Sequence, residues 1–325
     1  MNTARVVEQP SLQEIRAAAS RLAGLALRTP LIRLNHPDPA IEIHLKLENL
    51  QPVGAFKIRC VGNVIRSTNP AALRHGVYNA SSGNSGLALA WLARMMGLSA
   101  TTYAPETAPA GKCESIRRLG ARVERLPYEQ WWDIICHRQR KGESGLYVDA
   151  VTDPAAIAGN ATIGLEILQD LPDVGTIVVP FGGGGVSCGI AAAIRALKPD
   201  THLIAAESEM ATPLAAALAA GRPVTVEHKP GFISGIGAVS VLPEMWPLVR
   251  RLLDGSVVCS LPAVADAIRM LFEYNRVVGE GAGATALAGA LSVRNKGPIV
   301  CVITGGNIDN AHMAAILEGR LPAAG

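Results

Sequence analysis

One pattern recurs along this chain: a short run of β-branched residues, a turn rich in glycine or serine, and a helix rich in alanine and leucine. It occurs where Val77–Ala80 leads into the turn 81–86 and a predicted helix. It occurs again where Thr176–Pro180 leads into four successive glycines and a predicted helix at about 186–197. Strands that alternate with helices favour parallel sheets joined by right-handed crossovers. The repetition therefore predicts an α/β fold.

Further strands are predicted from the same pattern, at Leu98–Ala104, His202–Ala206 and Ile299–Ile303. The last of these is apolar without interruption, which is typical of a central strand covered on both faces. No linker rich in proline or serine divides the chain, so we expect a small domain inserted within a larger one. The predicted small domain spans residues 46–145, and residues 1–45 and 146–325 form the predicted large domain.

The composition excludes several classes of protein. Hydrophobic residues make up 49% of the 325 residues and charged residues 18%, which supplies a large core and argues against disorder. The net charge of +3 is too small for a nucleic-acid-binding surface. No stretch approaches the ~18 consecutive apolar residues of a membrane span. We therefore expect neither nucleic acid nor a membrane as partner.

The six cysteines point to a reducing compartment. They are widely spaced, form no CxxC pair and have no histidine at zinc-finger spacing. Free thiols fit this spacing better than a zinc site or a disulfide scaffold, and Cys188 is interpreted as a packing residue. Charged residues near the N-terminus interrupt any signal-peptide core. We expect a cytoplasmic protein.

Glycine-rich turns follow three of the predicted strands, at 81–86, 182–185 and 304–307. Ligands of open parallel sheets bind beyond the carboxyl ends of the strands, so these turns are expected to line one cleft. Glycine also serves turn geometry alone, and for a single turn the two interpretations have about equal weight. Four successive glycines favour a ligand, because backbone N–H groups exposed at a helix start bind phosphate.

Common nucleotide motifs do not account for these glycines. The Walker pattern GxxxxGK[ST] is absent, and the dinucleotide pattern GxGxxG is absent from 182–189. The segment 281–286 matches GxGxxA, but it follows a predicted helix at about 262–277 rather than a strand. That context disfavours a nucleotide site.

A lysine within the segment 47–59 suggests a different phosphate ligand. Lys57 lies between Phe56 and Ile58, and an amine in apolar surroundings can lose its charge and bond to an aldehyde. Taken alone, such a lysine is more often a solvated surface residue. Its weight comes from the motifs that accompany it.

With these motifs the chain resembles the fold-type II pyridoxal-phosphate enzymes, and within them the serine/threonine dehydratase and serine racemase branch. The resemblance spans roughly residues 10–320 and is carried, in family order, by LENLQPVGAFKIR, SSGNSG, PFGGGGVSCG, EGAGATAL and ITGGN. It implies two open, mostly parallel twisted sheets wrapped by helices, similar to the β subunit of tryptophan synthase, with the cofactor between the two domains. It also implies a homodimer. Because the chain ends about 20 residues after Thr304, no C-terminal regulatory domain is expected.

The resemblance implies a site for pyridoxal 5'-phosphate. Lys57 matches the Schiff-base lysine, Phe56 the residue against the cofactor ring, and Asn84 the partner of the ring hydroxyl. Thr304 matches the hydroxyl that meets the pyridine nitrogen. The phosphate-binding loop is matched by Gly182, Gly183, Gly184, Gly185 and the amide of Val186.

The resemblance also implies a substrate site. Ser81, Ser82 and Ser85 lie in the loop that binds the substrate carboxylate, and a few N–H and hydroxyl donors can do so without an arginine. Ser82 also matches the position from which a racemase reprotonates the opposite face. Lys57 is expected to take the α-proton. Glu280 aligns near the cofactor, and a site role and a purely structural role are weighted equally.

The chain departs from the family pattern at several positions. Ala55 replaces the usual serine before Phe-Lys, Ser85 the common histidine, and Leu87 the common glutamine. These changes make the substrate side smaller and less polar, which admits a bulkier β-substituent such as that of phenylserine.

The family's divalent-metal pattern is only half present. Glu207 and the carbonyl of Ala211 align, but Pro213 occupies the position of a second carboxylate. One carboxylate supplies a hard divalent cation poorly. We therefore assign no divalent metal and expect either a monovalent cation or a structural role at Glu207.

The resemblance implies a pyridoxal-phosphate-dependent lyase, a threonine or serine dehydratase that converts a β-hydroxy-α-amino acid to a 2-keto acid and ammonia by α,β-elimination. A serine-type racemase with the same site is the first alternative. A β-replacement enzyme of the cysteine synthase type is the second; SSGNSG is similar to that branch, but its Ser-Val-Lys-Asp-Arg segment is absent. The presence of Lys57 disfavours a binding protein that has lost catalysis.

Overall fold

A computed structural model describes residues 6–293 and 297–324, and it confirms the α/β prediction. The strands in these ranges are β1 (Leu31–Arg33), β2 (Ile43–Lys46), β3 (Val77–Ala80), β4 (Ala100–Pro105), β5 (Arg122–Leu126), β6 (Leu146–Tyr147), β7 (Thr176–Pro180), β8 (His202–Ser208), β9 (Gly255–Cys259) and β10 (Ile299–Val302). The helices are α1 (Leu12–Leu22), α2 (Lys57–Ser67), α3 (Asn84–Met96), α4 (Ala110–Arg118), α5 (Tyr128–His137), α6 (Pro154–Asp170), α7 (Gly185–Leu197), α8 (Pro213–Ala220), α9 (Trp246–Leu252), α10 (Leu261–Asn275), α11 (Gly281–Ser292) and α12 (Asn310–Leu317).

The strands form two sheets. The six-stranded sheet has the order β1–β2–β10–β7–β8–β9, and its only antiparallel pair among the described strands is β1–β2. The four-stranded sheet has the order β5–β4–β3–β6, with every described pair parallel. The prediction of two open, mostly parallel sheets is therefore confirmed.

The six-stranded sheet is covered on both faces, and β7 is buried along its whole length. Ile177 and Val179 belong to a core that also contains residues of α6 and α7, whereas Val178 belongs to a core with residues of α10 and α11. Successive side chains of a strand point to opposite faces. A strand with a core on each face needs apolar residues at every position, which explains the continuous run in the sequence.

Four strand boundaries differ from the predicted ones by one or two residues: β4 ends at Pro105, β10 ends at Val302, and the other two have identifiable reasons. β8 continues past Ala206 to Ser208, because Glu207 and Ser208 pair with residues of β9. β4 begins at Ala100 rather than Leu98, because the chain first leaves α3 through Gly97 in the left-handed conformation.

The two sheets draw on different parts of the chain, but the division is not a clean cut at the predicted domain boundaries. β6 at 146–147 pairs with β3 in the four-stranded sheet, just beyond the predicted boundary at 145. Helix α2 lies within the predicted small domain and packs against α6. The boundaries of 46–145 therefore stay a prediction.

None of the helices in the described ranges combines the length and the apolar character that crossing a membrane requires. All six cysteines are free thiols, and five of them are buried. Burial raises the pKa of Cys188 to about 12, so this thiol stays neutral at physiological pH and serves packing within α7.

Candidate active site

Two of the three glycine-rich turns are in contact, and the third follows a neighbouring strand. β7 and β10 are neighbours in the six-stranded sheet, so the turns 182–185 and 304–307 follow adjacent parallel strands. The turn 81–86 follows β3 of the four-stranded sheet, and its Asn84 accepts a hydrogen bond of 3.0 Å from Nδ2 of Asn307. This contact joins the two sheets, and the space between them is called the cleft from here on.

The glycine run leads into α7, and tight backbone geometry explains why it consists of glycine. Gly184 has a φ of 88°, in the left-handed region that favours glycine. A Cβ at Gly183 would lie 2.6 Å from Cγ1 of Val151. A Cβ at Gly185 would lie 2.9 Å from the carbonyl oxygen of the same valine. Side chains at these positions would force the backbone apart.

The start of α7 carries unpaired donors. None of the N–H groups of residues 182–186 donates to an acceptor within the described ranges. The hydrogen-bond ladder of the helix begins only at Cys188, whose N–H donates to Gly184 O at 2.9 Å. Unpaired N–H groups at the positive end of a helix form a site for phosphate.

A short backbone bridge positions Lys57 beside the turn after β10. Ala55 pairs with Gly305, and the N–H of Phe56 donates to Thr304 O at 3.0 Å. Helix α2 begins at the next residue, Lys57. Lys57 therefore directly follows the residue whose backbone is bonded to Thr304.

The amine of Lys57 has an aromatic neighbour and no counter-charge. Its Nζ lies 4.8 Å from the centre of the Phe56 ring. Within the described residues it forms no ion pair with a carboxylate, whereas Lys46 and Lys112 do. Thr304 is 4% exposed, and its hydroxyl makes no hydrogen bond to the described residues. Both groups are thus available to a ligand.

Asn84 is held from two sides. Its Nδ2 donates to Glu280 Oε1 at 2.5 Å, while its Oδ1 accepts from Asn307. The other oxygen of Glu280 pairs with Lys112 Nζ at 2.9 Å, and this Nζ also donates to Ser234 Oγ at 3.0 Å. Glu280, for which the sequence left two roles open, is thus in direct contact with a predicted cofactor residue.

Sequence reasoning missed three members of this group, namely Lys112, Ser234 and Asn307. Asn307 ends the motif ITGGN, which could have indicated it. No local pattern marks Lys112 or Ser234. Lys112 and its carboxylate partner are 168 residues apart in the chain, so only the folded structure brings them together.

The serines of the turn 81–86 differ in their surroundings. Ser81 Oγ accepts two backbone N–H groups of its own turn, both at 3.1 Å. Ser85 Oγ accepts from Nδ2 of the buried Asn79 at 3.2 Å and is engaged inside the four-stranded layer. Ser82 is half-buried, and its hydroxyl makes no hydrogen bond to the described residues. Of the three hydroxyls, that of Ser82 is the one without a partner in these ranges.

Glu207 caps helix α8. Its Oε1 accepts the N–H of Leu214 at 2.7 Å, and its Oε2 accepts the N–H of Ala215 at 2.9 Å and the hydroxyl of Ser256 at 2.5 Å. Burial raises the pKa of Glu207, although these hydrogen bonds oppose the shift. Ala211 is tied to the same region by its N–H, which donates to the carbonyl of Ser208 at 3.1 Å. The described residues contain no cluster of three or more His, Cys, Asp or Glu side chains suited to a metal ion.

The arrangement can hold a phosphate at the start of α7 and an aldehyde beside Lys57. A family model for "Pyridoxal-phosphate dependent enzyme" matches residues 22–305. The chain is 36% identical over 322 residues to an L-threonine ammonia-lyase of Thermotoga maritima, covering 97% of this chain and 80% of that protein.

Solved structures are similar over nearly the full chain. Maize serine racemase superposes with a TM-score of 0.88 at 30% identity, covering 96% of this chain and 98% of that one. A threonine deaminase from T.th. superposes with a TM-score of 0.85 at 31% identity, covering 92% and 99%. The similarity thus includes both a deaminase and a racemase.

Proposed function

Because the chain belongs to the pyridoxal-phosphate dependent enzymes, we infer that it is an ammonia-lyase that converts a β-hydroxy-α-amino acid to a 2-keto acid and ammonia. The single observation that carries this function is the likeness to an L-threonine ammonia-lyase over 97% of the chain. The substrate class is that of threonine and serine, and a bulkier member such as phenylserine is proposed because Ser85 is smaller than the histidine common at its position and Leu87 is less polar than the common glutamine.

The residues of the cleft fit pyridoxal phosphate. The unpaired N–H groups of 182–186 suit its phosphate, and the amine of Lys57 suits its aldehyde. The hydroxyl of Thr304 is free to meet the pyridine nitrogen, and Asn84 has a second N–H for the ring hydroxyl. When bound, the cofactor draws electrons away from the α-carbon of the amino acid.

Lys57 is proposed as the base that takes the α-proton. Its Nζ forms no ion pair with a carboxylate of the described residues, so the amine is available to the substrate. The backbone bridge between Ala55 and Gly305 keeps this amine at one place in the cleft. General-base catalysis of this kind depends on such fixed placement as much as on basicity.

The turn 81–86 is proposed to hold the substrate carboxylate. The N–H groups of Ser82, Asn84 and Ser85 donate to no acceptor within the described ranges, and they surround the start of α3. Ser81 Oγ accepts two N–H groups, so its own proton is left to donate outward. Ser85 is assigned to this site through its N–H group, since its hydroxyl is bound to Asn79.

The overall reaction balances without a further reactant. The α-proton and the β-hydroxyl leave together as water, and the enamine that is released takes up water to give the 2-keto acid and ammonia. The chain has to supply only a base, hydrogen-bond donors for the substrate carboxylate and a binding site for the cofactor.

Amino-acid racemisation is a second candidate, favoured by the similarity to maize serine racemase. It requires a proton donor on the face opposite Lys57, and Ser82 is proposed for that role. The hydroxyl of Ser82 is half-buried and unpartnered within the described part of the chain. Racemisation and elimination share the loss of the α-proton, so one site can support both.

Three finer properties are part of the proposal. The six free cysteines support a cytoplasmic location. The family resemblance supports a homodimer, which the mass of the protein in solution would test. For Glu207 and Ala211 we favour helix capping over a monovalent cation, because both carboxylate oxygens already accept hydrogen bonds. Equal activity in potassium and sodium buffers is the expected result.

The deciding experiment measures keto-acid release from serine, threonine, 3-hydroxyaspartate and phenylserine, with chiral analysis of the recovered substrate. We expect keto acid to form faster than the enantiomer with the best substrate. No keto acid from any of the four would refute the ammonia-lyase. Racemisation faster than deamination would make the racemase the function.

A further inference from the structure

Lys112 crosses the cleft between the two sheets. It lies on α4 beside the four-stranded sheet, and its Nζ pairs at 2.9 Å with Oε2 of Glu280, which precedes α11 on the six-stranded sheet. The same Nζ donates to Ser234 Oγ at 3.0 Å. The side chains of Lys112 and Glu280 are 11% and 4% exposed. An ion pair with side chains this little exposed to solvent differs from the weak ion pairs of protein surfaces.

Glu280 depends on this pair because its carboxylate is buried. Its other oxygen accepts from the uncharged amide of Asn84. Lys112 is its only ion-pair partner among the described residues. Removing one partner of a buried ion pair is strongly unfavourable, so Lys112 stabilises the carboxylate of Glu280 at this position.

Two neighbours, Asn307 and Glu280, together specify which way the amide of Asn84 faces. Asn307 Nδ2 is identified as a donor because it lies 2.9 Å from Val53 O, and it therefore meets the oxygen of Asn84. A carboxylate only accepts hydrogen bonds, so Glu280 selects the nitrogen of Asn84 at the other end. These two contacts assign the oxygen and the nitrogen of the Asn84 amide. The second N–H of that nitrogen then remains for an acceptor outside the described residues.

We propose that Lys112 is a positioning residue, which holds the carboxylate of Glu280 in place and thereby keeps the amide nitrogen of Asn84 turned toward the ring hydroxyl of pyridoxal phosphate. The proposal rests on the assignment of Asn84 to that hydroxyl. Lys112 acts through Glu280 and needs no contact with cofactor or substrate. Without it, the ring hydroxyl loses an oriented donor, which weakens the cofactor's binding and alters its absorbance.

Two substitutions separate the charge of Lys112 from its bulk. The stem of Lys112 covers the turn 81–86, since a Cβ on Gly83 would lie 2.4 Å from Lys112 Cδ. Lys112→Met keeps a stem of similar length and removes the charge, whereas Lys112→Arg keeps the charge. Lys141→Met, at an exposed lysine before β6, is the matched control.

The test titrates pyridoxal phosphate into the apo forms and records affinity and absorbance, followed by kcat and KM on L-threonine. We expect Lys112→Met to bind the cofactor about tenfold more weakly or worse, with a shifted absorbance band. Its kcat should fall more than its KM rises, because the carboxylate turn keeps its cover. Lys112→Arg should restore most of each property, and Lys141→Met should match wild type. Wild-type affinity and absorbance in Lys112→Met would overturn the proposal.

A double substitution tests the route through Glu280. Glu280→Gln removes the charge that Lys112 serves, so adding Lys112→Met to it should weaken cofactor binding little further. If the two losses add in full, Lys112 acts by another route and the proposal is wrong. Far-UV circular dichroism of each apo variant establishes that the fold is retained.

Asn84→Ala separates a failure of this proposal from a failure of the site assignment. Unchanged cofactor affinity and absorbance in Asn84→Ala would remove the premise and the proposal with it. A clear effect in Asn84→Ala together with none in Lys112→Met would refute the role of Lys112 alone. Neither readout depends on which amino acid the enzyme deaminates.

Discussion

Two groups of largely buried charges differ in how completely they are paired. The first, termed the buried network, contains two cations and two carboxylates: Lys46, Glu48, Arg59 and Glu166. The guanidinium of Arg59 donates to Glu48 at 2.8 Å and to Glu166 at 2.7 Å. Lys46 Nζ lies 2.6 Å from Glu166. Every charge in the buried network is therefore neutralised within it.

The second group lies in the cleft and is not neutral. Lys112 and Glu280 neutralise each other, but Lys57 has no carboxylate partner within the described residues. The unpaired N–H groups of 182–186 add further positive potential. The comparison shows that the charges of a structural network are all paired with one another. In a binding site, some charged or polar groups stay unpaired until a ligand binds. An anionic phosphate supplies the kind of charge that the cleft lacks.

One motif serves both groups. LENLQPVGAFKIR contributes Glu48 and Arg59 to the buried network, and Phe56 and Lys57 to the cleft. Arg59 lies on α2, two residues after Lys57. The buried network therefore anchors the first turn of the helix that presents the lysine.

The largest expected effect is on turnover, and it tests the unpaired charge of the cleft. Lys57→Ala should lower kcat by about 10²–10⁴-fold or more, the contribution of a positioned general base. Borohydride reduction should no longer attach the cofactor covalently, while the free energy of unfolding of the apoprotein stays close to wild type. Lys141→Ala is the control at an exposed lysine. A Lys57→Ala protein with normal turnover would remove the assignment of the base.

A substitution in the buried network should lower the stability of the fold rather than turnover. Glu48→Gln leaves Arg59 partly uncompensated in the interior, and we expect the free energy of unfolding to fall by about 3–5 kcal/mol. The exposed Glu114 pairs with Arg118 at 3.6 Å, so Glu114→Gln should cost below about 1 kcal/mol. Denaturant unfolding measures both. Equal losses in the two variants would mean that closure of the buried network contributes nothing.

Acid should reduce the difference between wild type and Glu48→Gln. Burial alone would raise the pKa of Glu48, but the charge and hydrogen bonds of Arg59, together with the Thr29 hydroxyl, outweigh it and lower the pKa. A carboxyl whose folded pKa is lowered stabilises the fold above its unfolded value, here 4.5, and loses that contribution as the pH falls through the folded pKa. Unfolding measured stepwise from pH 7 to acid should show the two proteins converge. A constant difference would contradict the lowered pKa.

The smallest expected effect concerns the choice of reaction. Ser82→Ala should suppress racemisation while retaining much of the elimination. The residual loss of elimination should correspond to one hydrogen bond to a charged acceptor, about 1.5–3 kcal/mol. Chiral analysis beside keto-acid release measures both activities. Racemisation that persists while elimination disappears would reverse the proposed faces.

Much of the fold was predictable from local pattern. β7 has the predicted bounds Thr176–Pro180, because a continuous apolar run is terminated by glycines. The predicted strand Val77–Ala80 is equally confirmed as β3. The segment 281–286 follows a helix, as predicted, and forms the start of α11 rather than a strand-to-helix turn. Boundaries that depend on pairing with another strand, such as the end of β8, were not predictable in this way.

For the site, sequence motifs indicated candidate residues, and the tertiary structure decided what each of them contacts. The motifs and the family resemblance proposed Lys57, Asn84 and the glycine loop as site residues, and these roles stay predictions. The motifs could not reveal that Ser85 Oγ is bound by Asn79 or that Glu207 caps α8.

By itself, the sequence determined that strands alternate with helices, where the glycine turns fall and which family the chain resembles. Only the tertiary structure decided how the charges are paired. Glu280 and Lys112 are 168 residues apart, and Arg59 and Glu166 are 107 residues apart. The energy of an ion pair depends on distance and burial, and neither quantity is encoded in a local stretch of chain. The fully paired buried network and the partly unpaired cleft can therefore be distinguished only in the folded structure, where these side chains lie together.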